Sequence, residues 1–225
     1  MYIFLSILSA CVHNPGSLAP PASQERSLVE LQAEVLPSVA LLYGLDEAGK
    51  LHFGSGVLLE QQNMVLTNWH VVKPQSSISV VLYDSERETY TALDGGLPRM
   101  IREESGSALR GEVVSTDIIN DLALVEVQAN LMEWPSIEIR EAPLMSGESV
   151  WAVGHPAGNL WSFTRGVVSA VHRGAVQHDA SANGGNSGGP LLDMQGRLVG
   201  INTFKLLEAG GQVVDGISYA RPMSI

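Results

Sequence analysis

The chain has 225 residues, the length of one ordinary domain or of a domain made of two small barrels, and its 45% apolar content is enough to fill a core. A net charge of −11 repels a phosphate backbone and argues against a nucleic-acid partner. The single cysteine, Cys11, rules out an intramolecular disulfide, so the core alone must stabilise the fold.

Residues 2–10 form an apolar run too short to cross a bilayer as a helix, which takes roughly 20 residues. Leu8-Ser9-Ala10-Cys11 resembles a bacterial lipobox, in which the cysteine is lipidated after cleavage before it. Residues 1–10 are thus expected to be a lipoprotein-type signal peptide. Residues 11–34 follow as a tether, rich in Pro, Ser, Ala and Asn over 13–24, and a short N-terminal segment. The opening Met1-Tyr2-Ile3 lacks the basic residue usual in a signal peptide. This reading puts the protein at a bacterial cell envelope, anchored through Cys11 on the periplasmic or extracytoplasmic face.

Residues 27–36 are the one long helix-compatible stretch. Short apolar or β-branched runs follow at 39–43, 55–59, 64–67, 78–83, 111–115, 122–127, 149–153, 166–171, 198–203 and 213–219. Gly, Pro, Asn or Asp punctuates most gaps, and strands do not alternate with helices. That pattern predicts a sandwich or barrel rather than a doubly wound sheet. Residues 91–108, with Asp94-Gly95-Gly96, Pro98 and Arg102-Glu103-Glu104, are expected to be a long surface loop. Residues 128–146, with Pro135 and Pro143, are expected to link two barrels.

Chemistry concentrates in Asn183-Gly184-Gly185-Asn186-Ser187-Gly188-Gly189-Pro190. Glycines let substrate backbone approach and let several N–H groups aim at one point; the plainer alternative is a glycine-rich turn with an incidental serine. A serine attacks only when a base takes its proton. All six histidines (13, 52, 70, 155, 172 and 178) precede Ser187, which excludes the nucleophile elbow of α/β-hydrolases, whose histidine follows the serine. His70 ends an apolar run, where a packed core histidine is the plainer reading, and His155 stands in the Gly154-His155-Pro156 turn. Asp121 heads the run 122–127, where a strand-leading turn residue is the plainer reading, and Asp117 lies four residues earlier.

Several stretches decide between these alternatives together. Thr67-Asn68-Trp69-His70-Val71-Val72 resembles the T-x-x-H-V-V stretch of trypsin-like serine proteases of the Deg/HtrA type. Asp121-Leu122-Ala123-Leu124 resembles their D-[IL]-A-[LV], Gly54-Ser55-Gly56 their G-S-G, and Gly200-Ile201-Asn202-Thr203 their G-I-N-T. Gly216-Ile217-Ser218-Tyr219-Ala220-Arg221-Pro222 resembles their closing strand. The resemblance implies an all-β fold of two six-stranded antiparallel barrels with the active site between them. The protease domain would span 35–225, with barrels at about 35–127 and 148–225 and a linker at about 128–147. It implies a serine endopeptidase with His70 as base, Asp121 orienting it and Ser187 as nucleophile, and with the N–H groups of Gly185 and Ser187 as the oxyanion hole. No metal or cofactor is called for. Asn186, before the serine, has no charge to capture a new N-terminus, so activation by clipping is not expected.

By the same resemblance the primary pocket has Ser181 at its base, then Ala182, with Thr203 and Phe204 on the opposite wall. Lacking a carboxylate, it suits small to medium aliphatic side chains. Members of the family usually continue into PDZ domains, whereas this chain stops at Ile225. Expected partners are protein or peptide substrates, unfolded or damaged envelope proteins, and the membrane through Cys11, with room for a homo-oligomer and none for nucleic acid. The alternatives are an inactive protease fold used for binding and an esterase-like acyl transferase.

Overall fold

The computed structural model describes residues 27–223, apart from positions 47, 60–62, 74, 87–89, 132–133, 182, 206–207, 210–211 and 214–215. Residues 1–26, with the expected signal peptide, Cys11 and most of the tether, therefore lie outside the described residues. Among the described residues no helix is long and apolar enough to cross a membrane.

Six strands, β1 (Val39–Leu45), β2 (Leu51–Leu58), β3 (Met64–Thr67), β4 (Ser77–Val81), β5 (Leu109–Asp117) and β6 (Leu122–Val127), close into an antiparallel barrel in the order β1-β2-β3-β6-β5-β4. Six more, β7 (Ser149–Gly154), β8 (Ser162–His172), β9 (Ala175–His178), β10 (Pro190–Leu192), β11 (Leu198–Lys205) and β14 (Ser218–Pro222), close a second barrel in the order β10-β11-β14-β9-β8-β7. The short β12 (Glu208–Ala209) and β13 (Gln212–Val213) pair with each other. The expected all-β, two-barrel fold is the observed one.

The apolar run at the start of β1 shows how the pieces fit. Successive side chains of a strand point to opposite faces. Ala40 and Leu42 enter the first barrel's core with Val65, Val80 and Val125. On the other face, Val39 joins Val57, Trp151, Val153, Leu198 and Ile201 between the barrels, and Leu41 joins Val81, Tyr90 and Leu97 at the barrel's end. The second barrel fills with Val150, Ala152, Val168, Val176, Leu191 and Val199.

The helix expected at 27–36 forms as α1 (Leu28–Val35). Ser27 caps it reciprocally with Glu30, and Leu31 and Val35 bury into the core between the barrels.

The surface loop expected at 91–108 is corrected. A 3-10 turn (Ala92–Asp94) leads into α3 (Gly96–Glu104) and a second 3-10 turn (Ser105–Ser107). Leu97, Met100 and Ile101 recur at helical spacing and pack on one side, with Leu97 and Met100 fully buried, while Arg99 and Glu103 pair at 3.0 Å. Pro98 falls in the first turn, where a missing N–H costs nothing. The glycines, the proline and the charge cluster masked this pattern.

Two smaller differences concern strands. The run expected at 213–219 is split between β13 and β14, with Gly216 at φ +74° between them. Strands β9 and β10 carry too few residues to register as runs. Among its described residues, the expected linker 128–146 carries no strand of its own, and Ile139 bridges to Leu198.

Candidate active site

His70 sits on α2 (Trp69–Val72), a single turn entered directly from β3 rather than the strand itself. Asp121 holds the turn between β5 and β6 at φ +55°, a left-handed conformation that a side-chain-bearing residue keeps only when its surroundings enforce it. The enforcement is visible. The Asp121 carbonyl accepts from the Trp69 N–H (3.2 Å) and from Asn68 Nδ2 (2.8 Å). Its Oδ1 accepts from the His70 N–H at 3.0 Å, and its Oδ2 lies 2.7 Å from His70 Nδ1. Thr203 Oγ1 donates to the same Oδ2 at 2.7 Å.

Burial pushes the Asp121 carboxyl up, but the hydrogen bonds from the His70 ring, the Thr203 hydroxyl and the His70 N–H outweigh it. The group is held below the ordinary carboxylate range. An ionised carboxylate on Nδ1 keeps the proton there and leaves Nε2 as the acceptor. The His70 side chain is 44% exposed, against 21% for Asp121, so the imidazole faces the cleft and the carboxylate sits behind it.

Ser187 comes from the glycine loop ahead of β10. Its carbonyl accepts from the Ser55 N–H (2.8 Å), its Oγ donates to the Thr203 carbonyl (3.0 Å), and the next residue, Gly188, donates to the Asn202 carbonyl (2.8 Å). Gly188 stands at φ +84°, and a Cβ there would meet the Ser55 carbonyl at 2.1 Å and Thr67 Oγ1 at 2.2 Å, so only glycine lets the loop lie against the first barrel. Gly185, at φ +105°, is as constrained: a Cβ would meet the His155 carbonyl at 2.1 Å. The N–H groups of Gly185 and Ser187 enter no hydrogen bond among the described residues.

His70, Asp121 and Ser187, far apart in sequence, are thus gathered at the junction of the barrels, with Thr203 bonded to both the acid and the serine. Thr203 was expected to line the pocket, yet its side chain turns to Asp121. Ser181 is exposed, and its carbonyl accepts from Thr164 Oγ1 (3.0 Å) and Asn186 Nδ2 (3.0 Å). Ala182 lies outside the described residues, as does the side chain of Phe204, whose backbone belongs to β11.

The rival residues are engaged elsewhere. Asp117 is exposed and bonded to the Asn120 amide, Nδ2 at 2.6 Å. His155 is fully buried, its Nδ1 accepts from the Trp161 N–H (3.0 Å), and desolvation holds it well below the ordinary imidazole value, to about 3. Sequence reasoning did not reach Asn68 and Thr203 as the groups that hold Asp121, the first through its main-chain carbonyl and the second through its carboxylate. Their only signal was membership of the matched stretches.

The family model described as "Trypsin-like peptidase domain" matches residues 54–201. Among curated proteins, the serine endoprotease DegS of Haemophilus influenzae is 30% identical over 185 residues, covering 77% of this chain and 48% of the relative. The "Probable periplasmic serine endoprotease DegP-like" of Pseudomonas fulva is 34% identical over 181 residues, covering 76% of this chain and 33% of the relative. The chain thus spans half or less of the length of these relatives. Among solved structures, a serine endoprotease from Yersinia pestis superposes with a TM-score of 0.68 at 28% identity, over 88% of this chain and 62% of that one. Two closed barrels, the residues at their junction and the span of the match agree: the chain belongs to the trypsin-like peptidase family, among serine proteases of the Deg/HtrA type.

Proposed function

We propose that the protein is a serine endopeptidase working through an acyl-enzyme, with His70, Asp121 and Ser187 as its triad. The observation that carries this is the 2.7 Å contact between His70 Nδ1 and an Asp121 carboxylate held ionised, beside a serine anchored by the same Thr203. Ser187 attacks the scissile carbonyl; His70 takes its proton through Nε2 and returns it to the leaving amine; Asp121 stabilises the imidazolium. The N–H groups of Gly185 and Ser187 receive the oxyanion. Before attack the Ser187 hydroxyl leaves the Thr203 carbonyl, a rotation about one side-chain bond.

The substrates are unfolded or damaged envelope proteins, cut after small to medium aliphatic residues. The pocket that the resemblance implies, with Ser181 at its base, would offer no charge to lysine or arginine, and a methylene in an apolar pocket is worth only about 1–3 kcal/mol, so selection is broad. Anchoring through Cys11 would hold the enzyme at the envelope, in keeping with the periplasmic place named for one relative.

The test is degradation of an unfolded protein by the wild type and by Ser187→Ala, with the cut sites mapped. The wild type should cut after Val, Ala or Leu. The variant should lose fluorophosphonate labelling and nearly all cleavage while keeping its fold. Retained activity in the variant would refute the triad, and cuts after basic residues would refute the pocket.

A further inference from the structure

The segment between β4 and β5 reaches across to the second barrel. Its Ala92 N–H donates to Asn159 Oδ1 (3.0 Å), and its Tyr90 carbonyl accepts from the Leu160 N–H (3.2 Å). Underneath, Leu97 and Met100 of α3 share one buried cluster with Leu160, and Trp161 packs against it. All these contacts land on one turn, residues 155–161.

On its far side the same turn grips the glycine loop. The Ala157 N–H donates to the Gly184 carbonyl (2.8 Å), and the His155 N–H to the Gly185 carbonyl (3.3 Å). The turn does not rest in a relaxed shape. Ala157 stands at φ +52° and Trp161 at φ +49°, conformations that residues with a Cβ keep only under constraint from their neighbours. Asn159 lies in the middle: its Oδ1 takes the Ala92 N–H, and its Nδ2 donates to the Pro156 carbonyl (3.0 Å).

We propose that Asn159 is a positioning residue for the oxyanion hole, and that the β4–β5 segment is the anchor it works through. Peptides flanked by glycine reorient at little steric cost. The Gly185 N–H shares its peptide with the Gly184 carbonyl and therefore keeps its aim only while that carbonyl is held from the other side; the Gly185 carbonyl has a second donor, Ser55 Oγ, at 2.7 Å. The Gly184 carbonyl is held by the strained turn through the Ala157 N–H, and the β4–β5 segment holds the turn through the Ala92 N–H and the Tyr90 carbonyl. The catalytic consequence rests on the serine-protease reading above; the structural coupling does not.

Two variants remove the same hydrogen bond from opposite ends. Asn159→Ala deletes the acceptor. Ala92→Pro deletes the donor without touching the turn, and proline suits the first position of a 3-10 turn after the extended Thr91 (φ −119°, ψ 159°). Both should speed hydrogen exchange at the His155 and Ala157 amides and lower kcat roughly tenfold or more at unchanged KM, since small misplacement of a catalytic group costs turnover before binding. Asn159→Asp keeps an acceptor for Ala92 and should restore both readouts.

Unchanged exchange at these two amides in Ala92→Pro would overturn the inference. So would failure of Asn159→Asp to rescue, because the bond to Pro156 would then be the one that matters. A wild type inert towards every protein and ester substrate would refute the protease reading alone; the exchange measurement would still decide this one.

Discussion

Asp121 shows how much a single position can carry. Its backbone sits in a left-handed turn, its carbonyl is bonded by two groups and its carboxylate by three. Asp121→Asn keeps the shape but presents an amide to Nδ1, favouring the wrong tautomer of His70. Turnover should fall by about 10⁴-fold with little change in stability. Asp117→Asn, four residues away at the exposed end of β5, should leave kcat/KM within about twofold, since surface changes of this kind have little effect. Steady-state kinetics on both variants checks the choice of acid. The sequence favoured Asp121 because Asp121-Leu122-Ala123-Leu124 resembles the family's D-[IL]-A-[LV] stretch and the neighbours of Asp117 do not. The double duty of Thr203 was not legible, because no single-residue pattern tells a strand threonine turned to a pocket from one turned to a carboxylate 82 positions away.

At the scale of elements, α3 and the buried histidines invite measurement. Leu97 is fully buried against Leu41, Val81 and Met100, so Leu97→Ala should cost about 3 kcal/mol by emptying a packed site, and chemical denaturation would read it. A true surface loop at this place would show almost no change.

His155 and His178 are both buried, and desolvation lowers them to about 3 and about 4. Above the unfolded value near 6.5 each is neutral in both states and costs nothing. As pH falls through 6.5 the unfolded chain takes up protons that the folded one refuses. Stability then drops by about 1.4 kcal/mol per pH unit for each histidine, until the folded values are reached. Between pH 6.5 and 5 the carboxylates add little, so urea unfolding in that window should show a slope approaching two protons. A flat profile there would mean that one or both rings are already charged or exposed. Most strands were legible as apolar runs with punctuation. α3 was not, because its turn-like composition hid a spacing of three and four that covers only three residues.

For the molecule as a whole, the core between the barrels is the decisive feature. Val39, Val57, Trp151, Leu198 and Ile201 meet there, and Leu31 and Val35 of α1 close it. The Trp161 indole N–H adds a bond to the Val39 carbonyl at 2.9 Å. Barrels that share a core should unfold together. Leu31→Ala should lower stability by roughly 2–5 kcal/mol while leaving one calorimetric transition. Two transitions would mean that each barrel stands alone. The two-barrel architecture was legible through the matched stretches, which run through both barrels, whereas the docking of α1 over the junction left no mark beyond a helix-compatible stretch.

The hydrogen bond from Ser55 Oγ to the Gly185 carbonyl joins positions 130 apart, and the bond from Thr203 to Asp121 joins positions 82 apart. Pairings of such long range are among the slowest to form, since loop-closure entropy is spent before any contact repays it. A chain emerging from the ribosome with its N-terminus first would hold His70 and Asp121 long before Thr203 and the glycine loop have left the tunnel. The order of synthesis therefore acts as a timer. The site comes together only once both barrels have been made, so a copy that stops within the first barrel lacks Ser187 and Thr203.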